Sequence, residues 1–400
     1  MPYHYLIMPA PQTSSKKNRK RLTILYFLGL LLAVSSALPA YIQSNFLRQF
    51  LSLNTVSLFM IIANIASVIA VLNFPKYIKK LTNYFLTKVV LIIYASSLFG
   101  LALSSTASLA LISVILFSVT SNLIWINMDV LVESFSADAS TGRTRTIYFT
   151  FINTGWILSP LLTTYLIGRG EYSLSFLMAG LIIIPFLLIF LGQAKNLEDK
   201  IKYQEDGIVK SLKKIWTKKN TRGIFFVAFL LQLFYSTAVI YVPIYLFRNL
   251  GMGWNLLGPI FSVMLIPFLI FEIPAGIIAD KYIGEKEIMS AGFIILIISL
   301  FLFYYISVPS FWIWMAVLFL SRVGASLVES MRETYFFKTV DAKDISYINI
   351  FRATGPLAYI IGPGISILVL MFWPLNYLFL VMSIIMLSGL LFTLSLKDTK

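Results

Sequence analysis

The chain has 400 residues, of which 58% are hydrophobic and only 12% are charged, about half the charged share of a soluble domain. It has no cysteine and a single histidine, His4 in the N-terminal tail, which excludes disulfides, thiolate metal sites, cysteine nucleophiles and histidine-based sites within the fold. The formal charge of +15 is explained better by basic loops facing anionic lipid than by nucleic-acid binding.

Twelve mostly apolar runs are long enough to cross a bilayer as helices, which takes about 20 residues each. They are continuous rather than alternating, so a transmembrane barrel is disfavoured. The first run has some features of a signal peptide, but its apolar stretch is too long, and we interpret it as a retained helix. The predicted spans, numbered one to twelve, cover 22–41, 55–74, 88–105, 108–128, 146–167, 173–192, 223–247, 257–278, 288–307, 310–328, 346–371 and 376–396.

Basic residues are distributed unequally between the two sides of this arrangement. The tails and loops on one side hold 27 Lys and Arg residues, whereas the loops on the other side hold 3. Basic loops remain in the cytoplasm. The sequence therefore predicts a multi-pass protein of the plasma (cytoplasmic) membrane, such as a bacterial inner membrane, with both termini in the cytoplasm.

The longest hydrophilic stretch, 193–222, separates spans six and seven. Ile208, Leu212, Ile215 and Trp216 recur in it at helical spacing, and lysines occupy the other faces. Two interpretations stay open: a helix lying on anionic lipid at the cytoplasmic face, and a solvated linker.

The two groups of six spans carry similar short motifs in the same order, which indicates an internal duplication. Parallel repeats around a central cavity are typical of secondary transporters. The matched motifs are Pro39-Ala40-Tyr41-Ile42 with Pro243-Ile244-Tyr245-Leu246, Lys76-Tyr77-Ile78 with Lys281-Tyr282-Ile283, Leu131-Val132-Glu133-Ser134 with Leu327-Val328-Glu329-Ser330, and Ser159-Pro160 with Gly362-Pro363. The predicted organisation is a basic tail at 1–21, a six-helix bundle at 22–192, the linker at 193–222, a second six-helix bundle at 223–396 and a tail at 397–400.

The loop after span eight reads Gly276-Ile-Ile-Ala-Asp280-Lys281-Tyr-Ile-Gly284-Glu285-Lys286. It is similar to the signature loop G-x-x-x-D-[RK]-x-x-G-x-[RK] of the major facilitator superfamily. The topology extends the resemblance over nearly the whole chain, and it implies an all-α membrane protein with two pseudo-repeated six-helix bundles, working as a monomer.

The sequence departs from this family's pattern in two places. Val71 and Pro75 stand in the first half where Gly276 and Asp280 stand in the second. Span five carries Gly155-Trp-Ile-Leu-Ser159-Pro160 where many antiporters of the family have G-x-x-x-G-P-x-x-G, which weakens an assignment to proton-coupled drug antiport.

The signature loop is the predicted gate. A glycine at 276 permits close helix approach, and Asp280 can pair with the N-terminus of a neighbouring helix. An ordinary polar turn is the alternative. The predicted gating residues are Gly276, Asp280, Lys281, Gly284 and Lys286, and the predicted helix-bend residues are Pro160, Gly362 and Pro363.

Few charged side chains fall inside the predicted spans, and charge within a bilayer is a functional-site hypothesis because its burial is costly. Glu272 is the candidate residue for proton or sodium coupling. Asp129 and Glu329, near the cytoplasmic ends, are expected to pair with Arg143, Arg145 or Arg332. The candidate cavity or substrate residues are Ser36, Gln43, Asn122, Trp125, Gln232, Tyr235, Arg322 and Arg352, with helix–helix hydrogen bonding as the alternative use.

Together these features predict a secondary active transporter that moves a small, apolar or amphiphilic solute by alternating access, with uptake and efflux both open. No G-x-x-x-x-G-K-[ST] run is present, so ATP hydrolysis on this chain is not expected. A lipid flippase on the same fold is the first alternative. An integral membrane transferase is disfavoured, because paired acids or a histidine at a membrane face are missing. The expected partners are the solute and anionic lipids, without metal, cofactor or nucleic acid.

Overall fold

A computed structural model describes residues 16–135, 141–167, 172–192, 208–339 and 345–397, and every regular element in these ranges is a helix. Eleven of the helices are long and apolar enough to cross a membrane. A twelfth, Thr141–Ile167, has 27 residues but is richer in hydroxyl and amide side chains. The predicted all-α membrane fold is therefore confirmed.

The membrane helices keep the numbers of the predicted spans. Most of them extend beyond the apolar run that predicted them, because hydropathy reports the thickness of the hydrocarbon and not the end of the helix. Spans one to twelve are Lys16–Ala40, Leu53–Leu81, Asn83–Ala102, Ala107–Phe135, Thr141–Ile167, Tyr172–Gly192, Lys219–Ile244, Trp254–Val263 continued by Ile266–Ile278, Glu285–Tyr305, Phe311–Thr339, Ile345–Leu370 and Asn376–Leu394.

Several spans are interrupted or extended by short elements. A five-residue helix, Gln43–Leu47, follows span one, and π-helical turns at Tyr245–Asn249 and Ala279–Ile283 extend spans seven and eight. Span eight breaks at Met264 and Leu265, just before Pro267, which has no N–H to continue a helix. The predicted bend residues Pro160, Gly362 and Pro363 lie in helices that run on without interruption.

The linker contains a ten-residue helix, Ile208–Thr217. Ile215 is buried, whereas Trp216 is exposed and its ring packs edge-on against Phe226 of span seven at 5.7 Å. Lys210, Lys213 and Lys218 are exposed. We call the side of the molecule that carries this helix the linker side, and the other side the opposite side.

The two halves use equivalent helix contacts. Span one packs on spans five and six, span two on span four, and span three on spans four and six. In the second half, span seven packs on spans eleven and twelve, span eight on span ten, and span nine on spans ten and twelve. The halves meet along two matching seams, span two with span eleven and span five with span eight. A site between the halves is therefore lined by spans from both repeats.

Candidate functional site

Arg322 of span ten lies at the centre of the candidate site. It is the twelfth residue of Phe311–Thr339, roughly 17 Å along a helix that rises 1.5 Å per residue, so it sits near the middle of the membrane. Its side chain is only 2% exposed. The guanidinium lies over the rings of Phe234 at 5.1 Å and Tyr235 at 5.7 Å, both on span seven.

Aromatic residues of both halves surround this arginine. Tyr41, in the turn after span one, and Tyr359 of span eleven both interact electrostatically with Arg322. The ring of Tyr41 stacks on Phe261 of span eight at 5.1 Å and meets Trp156 of span five edge-on at 6.5 Å. We call Arg322, Tyr41, Phe234, Tyr235 and Tyr359 the arginine site.

The positive charge of Arg322 is not neutralised within the described part of the chain. Its Nη1 atom is buried and has no hydrogen-bond partner, and none of the ion pairs among the described residues includes it. Such a buried cation is costly unless it is paired. The aromatic faces and a hydrogen bond with the hydroxyl of Tyr41 supply part of that compensation, and Nη1 takes no share in it.

Five further charged residues form a second group, nearer the linker side. Arg352 donates from Nη1 and Nη2 to the two carboxylate oxygens of Glu333, at 2.9 and 3.2 Å, and its Nε lies 3.5 Å from Asp129 Oδ2. Arg332 lies 3.6 Å from both Glu329 and Glu333. We call Asp129, Glu329, Arg332, Glu333 and Arg352 the charge cluster.

The charge cluster joins the two halves and reaches the arginine site. Asp129 belongs to span four and Arg352 to span eleven, so their ion pair crosses between the halves, with both side chains partly exposed. Tyr235, whose ring lies under Arg322, donates its hydroxyl hydrogen to Glu329 at 2.6 Å. Glu272 of span eight is within electrostatic reach of Glu329 and Glu333.

The halves are held together on the opposite side by neutral hydrogen bonds. Tyr241 of span seven shares its hydroxyl with Ser57 of span two at 2.7 Å and accepts from Ser366 of span eleven at 2.5 Å. Thr164 of span five donates to the carbonyl of Trp254 at 3.1 Å. This seam is closed in the structure.

Span eight approaches span five closely only in its first part. A Cβ atom added at Gly258 would collide with the hydroxyl of Thr164 and lie 3.0 Å from the carbonyl oxygen of Pro160. A Cβ added at Gly276, in the second part, would meet no atom within 4 Å. The close approach predicted for Gly276 is thus made in this structure by Gly258, on the opposite side.

The remaining candidate cavity residues are not among the residues of the arginine site. Ser36 hydrogen-bonds Tyr94 of span three at 3.0 Å, within its own half. Asn122 donates to the carbonyl of Ser118 at 2.8 Å, one turn back on its own helix. Gln43 is buried with an unpartnered Nε2, Trp125 is half-buried, and Gln232 lies beside Gly355 of span eleven.

The signature loop is only partly described. Gly284 has a φ of 86°, a left-handed conformation that favours glycine, and it leads into span nine. Lys286 lies 3.5 Å from Glu287, while Lys338 of span ten pairs with the buried Glu285 at 2.6 Å. The side chains of Asp280 and Lys281 are outside the described residues, as are those of Arg143 and Arg145, predicted partners of Asp129.

Sequence reasoning missed four residues that matter here, Tyr41, Phe234, Glu333 and Tyr359; Phe234 precedes the predicted Tyr235 but has no polar group to mark it in an apolar span. Tyr359 lies seven residues after Arg352 and Glu333 lies four residues after Glu329, so helical periodicity could have indicated both. Tyr41 could have been found because it lies within the repeated motif that ends span one.

A pair of equivalent six-helix bundles with a charged site between them is a transporter architecture. The family model of the Major Facilitator Superfamily matches residues 22–264 and 224–400, and the chain belongs to this family. The resemblance found in the sequence is confirmed, and the chain is a membrane transporter of the alternating-access type.

Two solved structures are similar to this chain over nearly its whole length. One is a bacterial homolog of the human lysosomal transporter Spinster, in an inward-facing and unoccupied conformation, with a TM-score of 0.71, 10% identity, and coverage of 96% of this chain and 98% of the other. The other is a variant of the nucleoside transporter NupG, with a TM-score of 0.71, 16% identity, and coverage of 95% and 100%. At these identities the likeness shows the fold alone. No curated protein sequence matches the chain.

Proposed function

We propose that this transporter is a secondary active carrier of a small, amphiphilic solute that binds at the arginine site, between the halves and near the middle of the membrane. The observation that carries the proposal is the position of this site. It is walled by aromatic rings from both halves, and it lies between a hydrogen-bonded seam on the opposite side and a single ion pair between the halves in the charge cluster.

The contacts between the halves support alternation about this site. Spans five and eight touch at Gly258 on the opposite side, whereas a Cβ atom added at Gly276, on the linker side, would meet no atom within 4 Å. With the linker side in the cytoplasm, this arrangement is open inward, and closure at Gly276 with release at Gly258 would open it outward.

The charge cluster is the proposed coupling element. Counted with Glu272, it holds four carboxyl groups against the two arginines Arg332 and Arg352, so binding a cation would reduce its net negative charge. Glu272 forms no ion pair among the described residues, which makes it the carboxyl group best placed to bind a proton or a sodium ion.

Transport in proteoliposomes tests this proposal. A panel of labelled amphiphilic solutes is offered in counterflow, and accumulation is then measured under an imposed pH or sodium gradient. Glu272→Gln should lose gradient-driven accumulation but keep counterflow, whereas the matched variant Glu287→Gln, at a partly exposed acid of span nine, should keep both. Equal accumulation by Glu272→Gln and the parent would remove Glu272 as the coupling residue. The direction of accumulation separates uptake from efflux.

The same vesicles separate the carrier from the lipid flippase. A flippase would scramble a fluorescent phospholipid analogue and leave soluble tracers behind. A carrier would move the soluble tracers and leave the phospholipid analogue in place.

Orientation and lipid contact form the remaining parts of the proposal. Because the chain has no cysteine, Ser105→Cys on the opposite side should react with an impermeant thiol reagent in intact cells, and Lys213→Cys only after the cells are broken. Gly251 has a φ of 69°, which favours glycine, and is a poor reporter. Ser44 is only 2% exposed and is therefore a poor reporter. The linker helix should bind anionic lipid through its exposed lysines and Trp216, measured as quenching of tryptophan fluorescence by labelled anionic lipid.

A further inference from the structure

We propose that the transported solute is a singly charged organic anion, whose negative group binds the guanidinium of Arg322 and whose apolar body lies against the aromatic rings around Tyr41. This inference rests on the proposed transport function and adds the chemical class of the solute.

The unpartnered donor of Arg322 selects for an anion. Nη1 is a hydrogen-bond donor only, it is buried, and it has no acceptor among the described residues. The nearest carboxylate along span ten, Glu329, is already occupied, since Tyr235 donates to one of its oxygens and Arg332 lies 3.6 Å from the other. A ligand that brings its own oxygen would supply the acceptor that Nη1 lacks, and the halves must separate to admit it because Arg322 is only 2% exposed.

The surroundings limit the ligand to one negative charge. Arg352 and Arg332, the next buried or half-buried cations, are both paired with carboxylates of the charge cluster. A second anionic group would have to break those pairs or face the carboxylates of the cluster. A planar carboxylate fits the fork of a guanidinium, and Tyr41 and Tyr359 add hydroxyl donors beside it.

The walls of the site define the rest of the ligand. Tyr41 stacks on Phe261 and meets Trp156 edge-on, which forms an aromatic surface contributed by spans one, five and eight. The ring of Phe234 adds an apolar face 5.1 Å from the guanidinium. An aromatic or aliphatic body fits such a surface, whereas a polyhydroxylated body would leave its hydroxyl groups without partners.

Paired probes test the inference on the full-length protein in nanodiscs of zwitterionic lipid. The probes are 2-naphthoate and its neutral analogue 2-naphthamide, which share one apolar body, and binding is followed by equilibrium dialysis at a pH where the carboxylate is ionised. The parent should bind naphthoate at least about tenfold more tightly than naphthamide, because hydrogen bonds to a charged group are stronger than neutral ones. Arg322→Gln should bring the two affinities to within about threefold of each other.

Controls separate the charge from the fold. Binding of naphthamide by Arg322→Gln shows that the aromatic surface is intact. Arg322→Lys should keep part of the preference, and Arg248→Gln, at an exposed arginine on the opposite side, should keep all of it. Equal binding of both probes by the parent, an undiminished preference in Arg322→Gln, or no binding of naphthoate would each overturn the inference.

Two further experiments distinguish a lipid anion from a soluble anion, and failure of the anion site from failure of the transport function. Competition of naphthoate with dihexanoyl phosphatidic acid, together with scrambling of an anionic lipid, would assign the anionic group to a lipid; competition without scrambling assigns it to a soluble amphiphile. Naphthoate that binds but shows no counterflow would overturn the transport function and leave the anion site standing. Counterflow of naphthamide at the rate of naphthoate would overturn the anion site and leave the transport function standing.

Discussion

Substitutions at two glycines of span eight should shift the equilibrium between closure on the opposite side and closure on the linker side in opposite directions. In the structure, Gly258 packs against span five, whereas a Cβ atom added at Gly276 would meet no atom within 4 Å. Gly258→Val should disfavour the closed seam on the opposite side, because its side chain must occupy the space of the Thr164 hydroxyl and lies close to the carbonyl of Pro160. Gly276→Val should fit the present arrangement and obstruct closure on the linker side.

The expected size of the shift follows from the overlap of the added side chain with Thr164. Forcing a side chain into a packed contact costs about 1–3 kcal/mol, which changes the ratio of two states by about 5- to 150-fold. Both variants are made on a Ser57→Cys background, since Ser57 is fully buried in the opposite-side seam and the chain has no other cysteine. The rate of labelling by an impermeant thiol reagent then reports opening of that seam.

Labelling should accelerate in Gly258→Val and slow in Gly276→Val, relative to the Ser57→Cys parent. Ser105→Cys, at an exposed position between spans three and four on the same side, should label at one rate in the parent, Gly258→Val and Gly276→Val without Ser57→Cys, and serves as the control for reagent access. Equal rates at position 57 in the two glycine variants, or a shift of both in one direction, would refute the argument that span eight alternates between these two contacts.

Three further outcomes follow from the charges. Arg322→Met should raise the melting temperature of the ligand-free protein by removing a buried cation that has no counter-ion among the described residues, a gain of about 1 kcal/mol or more; a lower melting temperature would contradict the unpaired state of Arg322. Glu333→Gln should lower the melting temperature more than Asp129→Asn, because Glu333 pairs with both arginines of the charge cluster and Asp129 with one. Burial lowers the pKa of Arg48 and the nearby Arg248 of the other half lowers it further, so Arg48→Gln should relieve repulsion across the closed seam and slow labelling at position 57 by up to about fivefold.

The architecture could be predicted because it depends on long-range composition. Apolar length identified every span, and the repeated motifs identified the two halves, since each half must bury the same kind of surface. The ends of the helices could not be predicted in this way. Span ten was predicted to end at 328, but its helix continues to Thr339, and the extra turns carry Arg332 and Glu333.

The candidate site could be predicted only in part. Arg322 was identified because a lone charge inside an apolar run is costly wherever it points. Its unpaired state and its aromatic walls depend on how six spans meet, which no local pattern contains. Arg352 was assigned to the same cavity for the same reason, but the structure pairs it with Glu333 and Asp129, an arrangement that requires the packing of spans ten, eleven and four.

The contacts between the halves on the opposite side differ in chemistry from those on the linker side. The opposite-side seam is made of hydroxyl and carbonyl hydrogen bonds, such as Ser57 with Tyr241 and Thr164 with Trp254, which carry no net charge. The linker-side link is the partly exposed ion pair of Asp129 and Arg352, which salt screens and protonation removes. Under the coupling proposal, a bound cation acts on the linker-side contact and leaves the neutral opposite-side contact unchanged. Because Tyr235 connects Glu329 of that cluster to Arg322, an anion that draws on Arg322 acts on the same group of charges. In the proposed mechanism, the solute at Arg322 and the coupling ion at the charge cluster are thus connected through the hydroxyl group of Tyr235.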